Sequence, residues 1–363
     1  MKPIVYKSRP KLIGKITYID AYSSALEELF FLEHPNLKKN MPEMKEGLKQ
    51  FLLQKKVQGS WIYYPLQKKL VHTVEEKLYF KLRTARNRNI ISETEQQYFR
   101  NTKIGIAGLS VGSAILEALV ISGGPKYLKI ADFDNLEITN LNRIRASLLD
   151  IGQNKTAIAA RRCWELDPFA QIQIFDTGLN TKNLKQFLLK PKLNIFIDEM
   201  DSLDLKIQTR LICKKNKLPV LMATDNGDSV ILDVERFDIE PKRQIFHGLL
   251  SEVNIKNLKN LSFKQWLTLA TKIVGPQHLT NRMRDSILLI GKTLPAVPQL
   301  GSSASMAGAA ISFCVRKIAN RQNLPSGRYI ISLEEKLDVK FSSAQAKKQR
   351  KQNIKKFVKN LLV

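Results

Sequence analysis

The sequence predicts an α/β protein built around a doubly wound, mostly parallel sheet. Between Lys103 and Thr224, apolar runs of strand length alternate with segments of helix length. Such alternation favours parallel strands that are joined by right-handed helical crossovers. The chain has 363 residues, of which 44% are hydrophobic and 25% are charged, so it is long enough to bury a substantial core.

The predicted strands share short apolar runs, and they lie at residues 104–107, 127–131, 172–175, 193–197 and 219–223. The predicted helices between them lie at residues 113–122, 155–166 and 203–216. Beyond residue 224 the pattern predicts a strand at 230–237, a basic helical stretch at about 240–292, a tightly packed helix of small residues at 301–310 and a strand at 329–332. These segments are helical and strand additions to the central sheet.

Composition divides the chain into three parts. Residues 1–95 alternate short apolar and basic pieces without a clear period, which predicts a small α+β or helical extension. Residues 96–335 carry the alternating pattern and form the predicted nucleotide-binding domain. Residues 336–363 are a basic tail: from residue 342 onwards there are seven Lys or Arg and no acidic residue. We expect this tail to be a solvated or partly disordered helix.

The chain is strongly basic. It contains 59 Lys and Arg against 33 Asp and Glu, which gives a formal net charge of +26. This charge favours polyanionic partners such as a nucleic acid, a phosphorylated ligand or an anionic membrane surface, although a general solubility bias would produce the same excess. The longest uncharged run, residues 293–315, is too polar and too interrupted by proline to span a bilayer.

Cysteine and histidine usage argues against disulfides and zinc. The three cysteines are scattered, form no paired CxxC motif and are each expected to be buried: Cys163, Cys213 and Cys314. The four histidines share no ligand spacing: His34, His72, His247 and His278. The start of the chain has no signal-peptide core, and a reducing cytoplasm fits the cysteine usage best.

A nucleotide site is predicted where the first strand of the central sheet meets its helix. The strand runs into Gly108, Gly112 and Ser113. Glycines let the backbone approach a phosphate, and the helix N-terminus offers unpaired N–H groups. At the end of the second strand stands Asp132, where a Rossmann-type sheet places the acid that binds a ribose hydroxyl.

Polar and cationic residues follow Asp132 at a spacing that suits a triphosphate better than a nicotinamide. Asn140, Arg143 and Lys155 can reach phosphates above the glycine turn. Asp201 lies just beyond the fourth strand, at the carboxyl edge of the sheet, where a carboxylate can hold Mg²⁺ beside the phosphates.

These motifs, in this order, resemble the ThiF/MoeB/HesA family of ATP-dependent adenylating enzymes, which is related to the ubiquitin-activating enzymes. The similarity covers about residues 84–335. The matching pieces are the glycine turn, Asp132 to Asp134, Thr139 to Arg143, Asp150 to Lys155, Asp167-Pro168, Asp201, the arginine segment 86–91 and the segment 298–308. Within the family, the chain resembles a bacterial branch with a Gly-Leu-Ser-Val-Gly turn.

The resemblance implies a role for each matching residue. Asp132 would hold the ribose, and Asn140, Arg143 and Lys155 the phosphates. Asp201 would bind Mg²⁺, and Arg88 would reach into the site of a partner subunit in a homodimer. The remaining nucleotide-binding positions implied by the resemblance are Gly108, Gly112, Ser113 and Asp134.

Four departures from the family pattern stand out. Ala107, Leu109 and Ser110 occupy positions where glycine is common, and the interval from Arg143 to Lys155 is one residue short. Paired CxxC motifs are absent, so no structural zinc is expected. In the family, a thioester-forming cysteine would lie in the region from Cys213 to Cys314, and no cysteine lies between those two here.

Four functions remain open at this point. The first is an ATP-dependent adenylating enzyme whose acceptor is the C-terminal carboxylate of a ubiquitin-like or sulfur-carrier protein, or a small molecule. The second is an ATP-dependent RNA-modifying enzyme resembling the tRNA threonylcarbamoyl-adenosine dehydratases, which the basic charge favours. The third is a non-catalytic nucleotide-binding module. The fourth, an NAD-dependent oxidoreductase, is disfavoured by the cluster of Asn140, Arg143 and Lys155.

Overall fold

The computed structural model describes residues 1–37, 42–54, 57–250 and 261–362. The N-terminal part is a small α+β unit. Its four-stranded sheet has the order β1-β3-β4-β2 and consists of β1 (Ile4–Tyr6), β2 (Thr17–Asp20), β3 (Gly59–Tyr64) and β4 (Lys69–Val74). Strand β2 pairs with β4 in parallel, and the other pairs are antiparallel. Its helices are α1 (Tyr22–Glu33), α2 (Pro42–Gln54) and α3 (Glu76–Arg83).

The central sheet has seven strands, and the fold class predicted from the sequence is confirmed. The strands are β5 (Lys103–Ala107), β6 (Tyr127–Ala131), β7 (Gln171–Phe175), β8 (Ile195–Asp198), β9 (Val220–Asp225), β10 (Ser229–Glu235) and β11 (Gly327–Ser332). Their order is β11-β10-β9-β8-β5-β6-β7. The pairs among β7, β6, β5, β8 and β9 are parallel, whereas β10 runs antiparallel to both of its neighbours.

Ten helices follow the N-terminal unit in the described residues. They are α4 (Glu93–Asn101), α5 (Val111–Ile121), α6 (Lys155–Leu166), α7 (Leu184–Leu189), α8 (Leu203–Lys215), α9 (Phe263–Val274), α10 (Asn281–Ile287), α11 (Gly301–Ala319), α12 (Leu333–Leu337) and α13 (Ala344–Leu362). The sequence predicted α6 with these bounds, and it missed the short α7. Part of the predicted basic stretch, residues 251–260, lies outside the described residues.

The small residues of α11 allow it to pack directly on α5. A Cβ added at Gly308 would lie 2.7 Å from the backbone oxygen of Ala114, so a larger residue would separate the two helices. Ala304, Ala307 and Ile311 are buried in the same core. The prediction of a tightly packed helix of small residues is therefore confirmed. All three cysteines are also buried, as expected.

The basic tail is more ordered than its composition suggested. Helix α13 places Phe357 and Leu361 in one apolar cluster with Leu279, Met283 and Ile287. The predicted helix is therefore present over residues 344–362 and most of its described side chains are exposed, while Phe357 and Leu361 dock it onto α10. No helix in the described part of the chain has both the length and the apolar character that crossing a membrane requires.

Candidate nucleotide site

The turn between β5 and α5 requires glycine at its first position. Gly108 has φ of 89°, a conformation that side-chain-bearing residues rarely adopt. A Cβ there would also overlap the backbone carbonyl of Glu199, which follows β8. The N–H of Gly108 donates to the Ala131 carbonyl at 2.9 Å. The turn is therefore pressed between the carboxyl ends of β6 and β8.

Asp132 holds the glycine turn in place. Its carboxylate accepts the backbone N–H of Leu109 at 2.6 Å and that of Asp134 at 2.9 Å. Burial raises the pKa of Asp132, and these two hydrogen bonds oppose that rise. A carboxylate has about four acceptor positions, so Asp132 can still accept a hydrogen bond from a ribose hydroxyl. The structure thus adds a structural role that the sequence did not reveal.

The first turn of α5 is not capped by a side chain. Ser110 is the N-cap residue, but its hydroxyl accepts no backbone N–H of the helix. Uncapped N–H groups at a helix start favour an anion. Gly112 and Ser113 lie in this turn and are buried. The Ser113 hydroxyl donates to the Ser110 carbonyl at 2.9 Å, so its proton is already engaged.

Arg143 lies against the glycine turn. Its Nε donates to the Ser110 hydroxyl at 2.8 Å. Its Nη1 donates to the Thr139 carbonyl at 3.1 Å and to the Asn142 side-chain oxygen at 2.9 Å. No described residue accepts a hydrogen bond from Nη2, so that nitrogen retains both protons for a ligand. Arg145, by contrast, pairs with Glu117 at 2.9 Å.

Lys155 begins α6, and Asp134 follows β6. The Lys155 ammonium lies 2.7 Å from the Asp134 carboxylate, and the Lys155 side chain is only 7% exposed. This pair holds the ammonium at the same sheet edge as the glycine turn. Asn140 is buried, and its side-chain oxygen accepts the Glu137 N–H at 3.1 Å. The Asn140 oxygen therefore closes a local turn.

Carboxylates dominate the edge formed by β8 and β9. Asp198 is fully buried and forms ion pairs with Arg210 and with Lys206, the latter at 3.3 Å. Burial would raise the pKa of Asp198, but Lys206 and Arg210 hold it below the usual value. Burial raises the pKa of Glu199 well above its usual value, although its carboxylate accepts the Ala223 N–H at 2.9 Å.

Asp225 is a residue that the sequence analysis missed. It ends β9 and is 6% exposed, and neither carboxylate oxygen has a hydrogen-bond partner among the described residues. The nearby Ser303 hydroxyl donates to the Leu300 carbonyl at 3.0 Å instead. Burial raises the pKa of Asp225 to about 6, opposed by the neighbouring Ser303 and by the charge of Arg143. An acid at a strand's carboxyl end was the pattern that identified Asp132, and it would have identified Asp225 too.

Asp201 is the residue that the sequence predicts to hold Mg²⁺. No group of three or more His, Cys, Asp or Glu side chains that could hold a metal occurs among the described residues. Mg²⁺ bound with a nucleotide, however, typically takes one or two carboxylates, the phosphates and several waters. Asp201 is exposed and follows β8, and its negative charge acts on Arg143. An exposed carboxylate at this edge fits a hydrated ion, whereas the solvent-excluded oxygens of Asp225 do not.

Arg88 does not reach the glycine turn of its own chain. Its neighbour Asn87 donates to the Ser122 carbonyl at 3.1 Å, and Arg83 donates to the Val120 carbonyl at 2.8 Å. These bonds fix the segment beside the C-terminal end of α5. The helix has 11 residues and is therefore about 16 Å long, and the glycine turn is at its other end. Arg88 itself is exposed.

This fold and turn define an α/β protein of the Rossmann type. The model of the ThiF family matches residues 84–354, about three quarters of the chain. The chain therefore belongs to the ThiF family, whose relatives here include adenylyltransferases and ubiquitin-like-modifier-activating enzymes. The matched region extends past the expected limit at residue 335 and into α13.

Three curated relatives illustrate the range of similarity. An uncharacterised protein of Mycobacterium tuberculosis is 37% identical over 278 residues, which cover 77% of this chain and 38% of that protein. The tRNA threonylcarbamoyladenosine dehydratase of Bacillus subtilis is 26% identical over 180 residues, which cover 47% of this chain and 70% of that protein. A probable molybdopterin-synthase adenylyltransferase of Porphyra purpurea is 36% identical over 100 residues, which cover 27% of this chain and 25% of that protein. The chain thus spans about two fifths of the mycobacterial relative's length.

The solved structures show the fold alone. The crystal structure of PaaA is similar at a TM-score of 0.50 and 18% identity, over 71% of this chain and 77% of that one.

Proposed function

We propose that the protein transfers an adenylyl group from ATP to an acceptor oxygen. The main support is that Arg143 donates a hydrogen bond to Ser110 at the glycine turn while its Nη2 stays free for a phosphate. The family supports the adenylyltransferase class, and the Porphyra relative carries that activity in its name. In this proposal Asp132 holds the ribose, and Asn140 and Lys155 complete the phosphate contacts with Arg143.

The proposed step needs little covalent help from the protein. An acceptor oxygen attacks the α-phosphorus, the bond from that phosphorus to the oxygen bridging to the β-phosphate breaks, and pyrophosphate leaves. Arg143 and the first turn of α5 neutralise the charge that develops on the phosphate oxygens. Lys155 is oriented for the same purpose by Asp134. Mg²⁺, held by Asp201, would supply further charge neutralisation between the phosphates.

The burial of the cysteines supports an activity without a thioester intermediate. Burial raises the pKa of Cys163 and Cys213, and it raises the pKa of Cys314 to about 12. Thiolates are the reactive form of cysteine, and all three thiols are therefore kept neutral and covered. The adenylated acceptor would be passed on directly, whether it is a ubiquitin-like or sulfur-carrier protein or a small molecule.

A second candidate function is ATP-dependent modification of tRNA. It is favoured by the similarity to the Bacillus dehydratase and by the net charge of +26. Both candidates use the same nucleotide site, and they differ only in the acceptor.

The site is proposed to be composite in a homodimer. Arg88 is anchored at the far end of α5 from its own glycine turn, so a two-fold partner's turn is the easier target. Two-fold dimers are the commonest soluble assemblies.

The experiment is ATP–pyrophosphate exchange, measured with and without candidate acceptors. The proposal predicts exchange that depends on Mg²⁺ and is stimulated by one acceptor class, either small proteins ending in Gly-Gly or unmodified tRNA. Tight nucleotide binding with no exchange under any acceptor would favour the non-catalytic module instead.

A further inference from the structure

We infer that one face of α13 binds the phosphate backbone of RNA. This inference goes beyond the proposed function, because it requires neither ATP nor adenylyl transfer. The relevant face is the lysine row, which we define as Lys347, Lys351, Lys355 and Lys359.

The spacing of the lysine row arises from helix geometry. Its members are four residues apart, so they lie on one side of α13 at intervals of about 6 Å along the axis. All four side chains are exposed. Lys348 and Lys356 flank the row and are exposed as well. The helix therefore presents a linear array of positive charge rather than a scattered one.

The lysine row has no acidic counterpart. Residues 342–363 contain no Asp or Glu, and within the described part of the chain no carboxylate forms an ion pair with the row. Like charges four residues apart on a helix repel each other. An unbalanced row of this kind lowers the intrinsic stability of the helix, and a bound polyanion would remove the repulsion.

The apolar side of α13 is already used inside the protein. Phe357 and Leu361 are buried against α10, and the Asn353 side chain donates to the Asn281 side-chain oxygen at 3.2 Å. Helices that bind membranes insert their apolar face into the lipid. Because that face is occupied here, only the charged side is available, which favours a hydrophilic polyanion over a lipid surface.

Docking also makes the charged face a fixed surface. The Arg350 guanidinium stacks on the Phe341 ring at 3.9 Å from its centroid, which holds the start of α13 in addition to the contacts with α10. A row of cations on a docked helix loses little backbone entropy on meeting a polyanion. It displaces condensed counterions from the phosphates, so affinity falls with salt in proportion to the number of contacts.

The test compares two quadruple variants of equal charge. The first carries Lys→Gln at all four positions of the lysine row. The control carries Lys→Gln at four exposed lysines on or beside α7 and α8: Lys182, Lys185, Lys215 and Lys217. Fluorescently labelled unfractionated tRNA is titrated between 50 and 200 mM KCl (on the order of the range over which such binding responds to salt), with circular dichroism to verify folding.

The inference predicts that the row variant binds tRNA at least about tenfold more weakly than wild type. Its slope of log affinity against log salt should be shallower by about 3, since each single-strand phosphate contact contributes about 0.7. The control variant should stay within about twofold of wild type. ATP–pyrophosphate exchange without RNA should be unchanged in both variants, which separates this inference from the proposed function.

Three results would overturn the inference. They are no salt-sensitive binding of tRNA by wild type, equal weakening in both variants, and binding of phosphatidylserine vesicles that exceeds tRNA binding and is lost in the row variant. The last result would assign the surface to a membrane.

Discussion

Arg143 donates a hydrogen bond from Nε to the hydroxyl of Ser110 at 2.8 Å. This bond joins the loop after β6 to the first turn of α5, and it places a guanidinium where we propose that nucleotide phosphates bind. The loop is further fixed because the Asn142 side chain donates to the Gln299 carbonyl at 2.8 Å, just before α11. Contacts on two sides thus fix the position of Arg143: its own bond to Ser110, and the bond of the adjacent Asn142 to Gln299.

Replacing Arg143 by Ala should lower kcat/KM for ATP–pyrophosphate exchange about 30- to 1000-fold, because a charge-assisted phosphate contact is lost. This factor corresponds to a loss of roughly 2–4 kcal/mol of transition-state stabilisation. Arg145→Ala is the matched control. Arg145 pairs with Glu117 and donates to Ser305 at 2.7 Å, away from the turn, and its loss should change the rate less than about threefold. If Arg145→Ala were the more damaging change, the phosphate role would belong to Arg145.

Asp201→Ala should abolish Mg²⁺-dependent turnover while leaving the fold intact, because Asp201 is exposed and supports no packing. The measurement is exchange rate against Mg²⁺ concentration, with thermal denaturation as the folding test. Asp228→Ala, another exposed acid, should leave the Mg²⁺ dependence unchanged. Wild-type turnover in the Asp201 variant would remove the metal assignment.

Asp225→Asn should stabilise the free protein at neutral pH. Burial raises the pKa of Asp225 from 3.8 to about 6, so the folded state binds this proton more tightly than the unfolded state does. The associated stability is present below about pH 4 and is lost as the pH rises through about 6. Two pKa units correspond to about 3 kcal/mol at most.

The Asp225 prediction is checked by urea denaturation at two pH values. The variant should gain about 1–3 kcal/mol over wild type at pH near 7.5, and the gain should vanish at about pH 3.5, below the pKa of the unfolded state. Asp228→Asn, the exposed control, should show no such pH-dependent difference. A destabilised Asp225 variant at neutral pH would mean that the carboxylate has a partner.

Mixing two inactive variants tests the composite site. Arg88→Ala and Lys155→Ala proteins should each be inactive, whereas an equal mixture should regain about a quarter of wild-type activity. The reason is that half of the dimers are mixed, and each mixed dimer has one intact site. Arg86→Ala, at another exposed arginine, should remain active alone. A monomeric protein, or no recovery on mixing, would show that Arg88 does not act across a dimer.

The central fold was predictable because its elements carry local patterns. The five parallel strands are short apolar runs, and α6 begins after Asn154, whose side chain accepts the Thr156 N–H at 2.9 Å. The N-terminal sheet was not predictable in detail, since β2 pairs in parallel with the distant β4 and has no buried face of its own. The docking of α13 depends on two apolar residues among many lysines, which composition alone hides.

The placement of the candidate-site residues was predictable where a residue directly follows a strand. Gly108 and Asp132 follow from strand ends, and the structure brings them together through the Leu109 N–H. The isolation of Asp225 was not predictable, because the group that covers it includes Ser303, which is 78 positions later in the chain. Whether a carboxylate finds a partner depends on such tertiary packing, and no local pattern records it.

We propose that the glycine turn with Arg143 binds ATP in preference to a dinucleotide. The most direct measurement is calorimetric titration of the full chain with ATP and Mg²⁺, and separately with NAD⁺, for wild type and Arg143→Ala. We predict that wild type binds ATP at least about tenfold more tightly than NAD⁺, and that Arg143→Ala loses this preference. Tighter binding of NAD⁺ than of ATP, or an ATP affinity unaffected by Arg143→Ala, would show that this turn is not an ATP site.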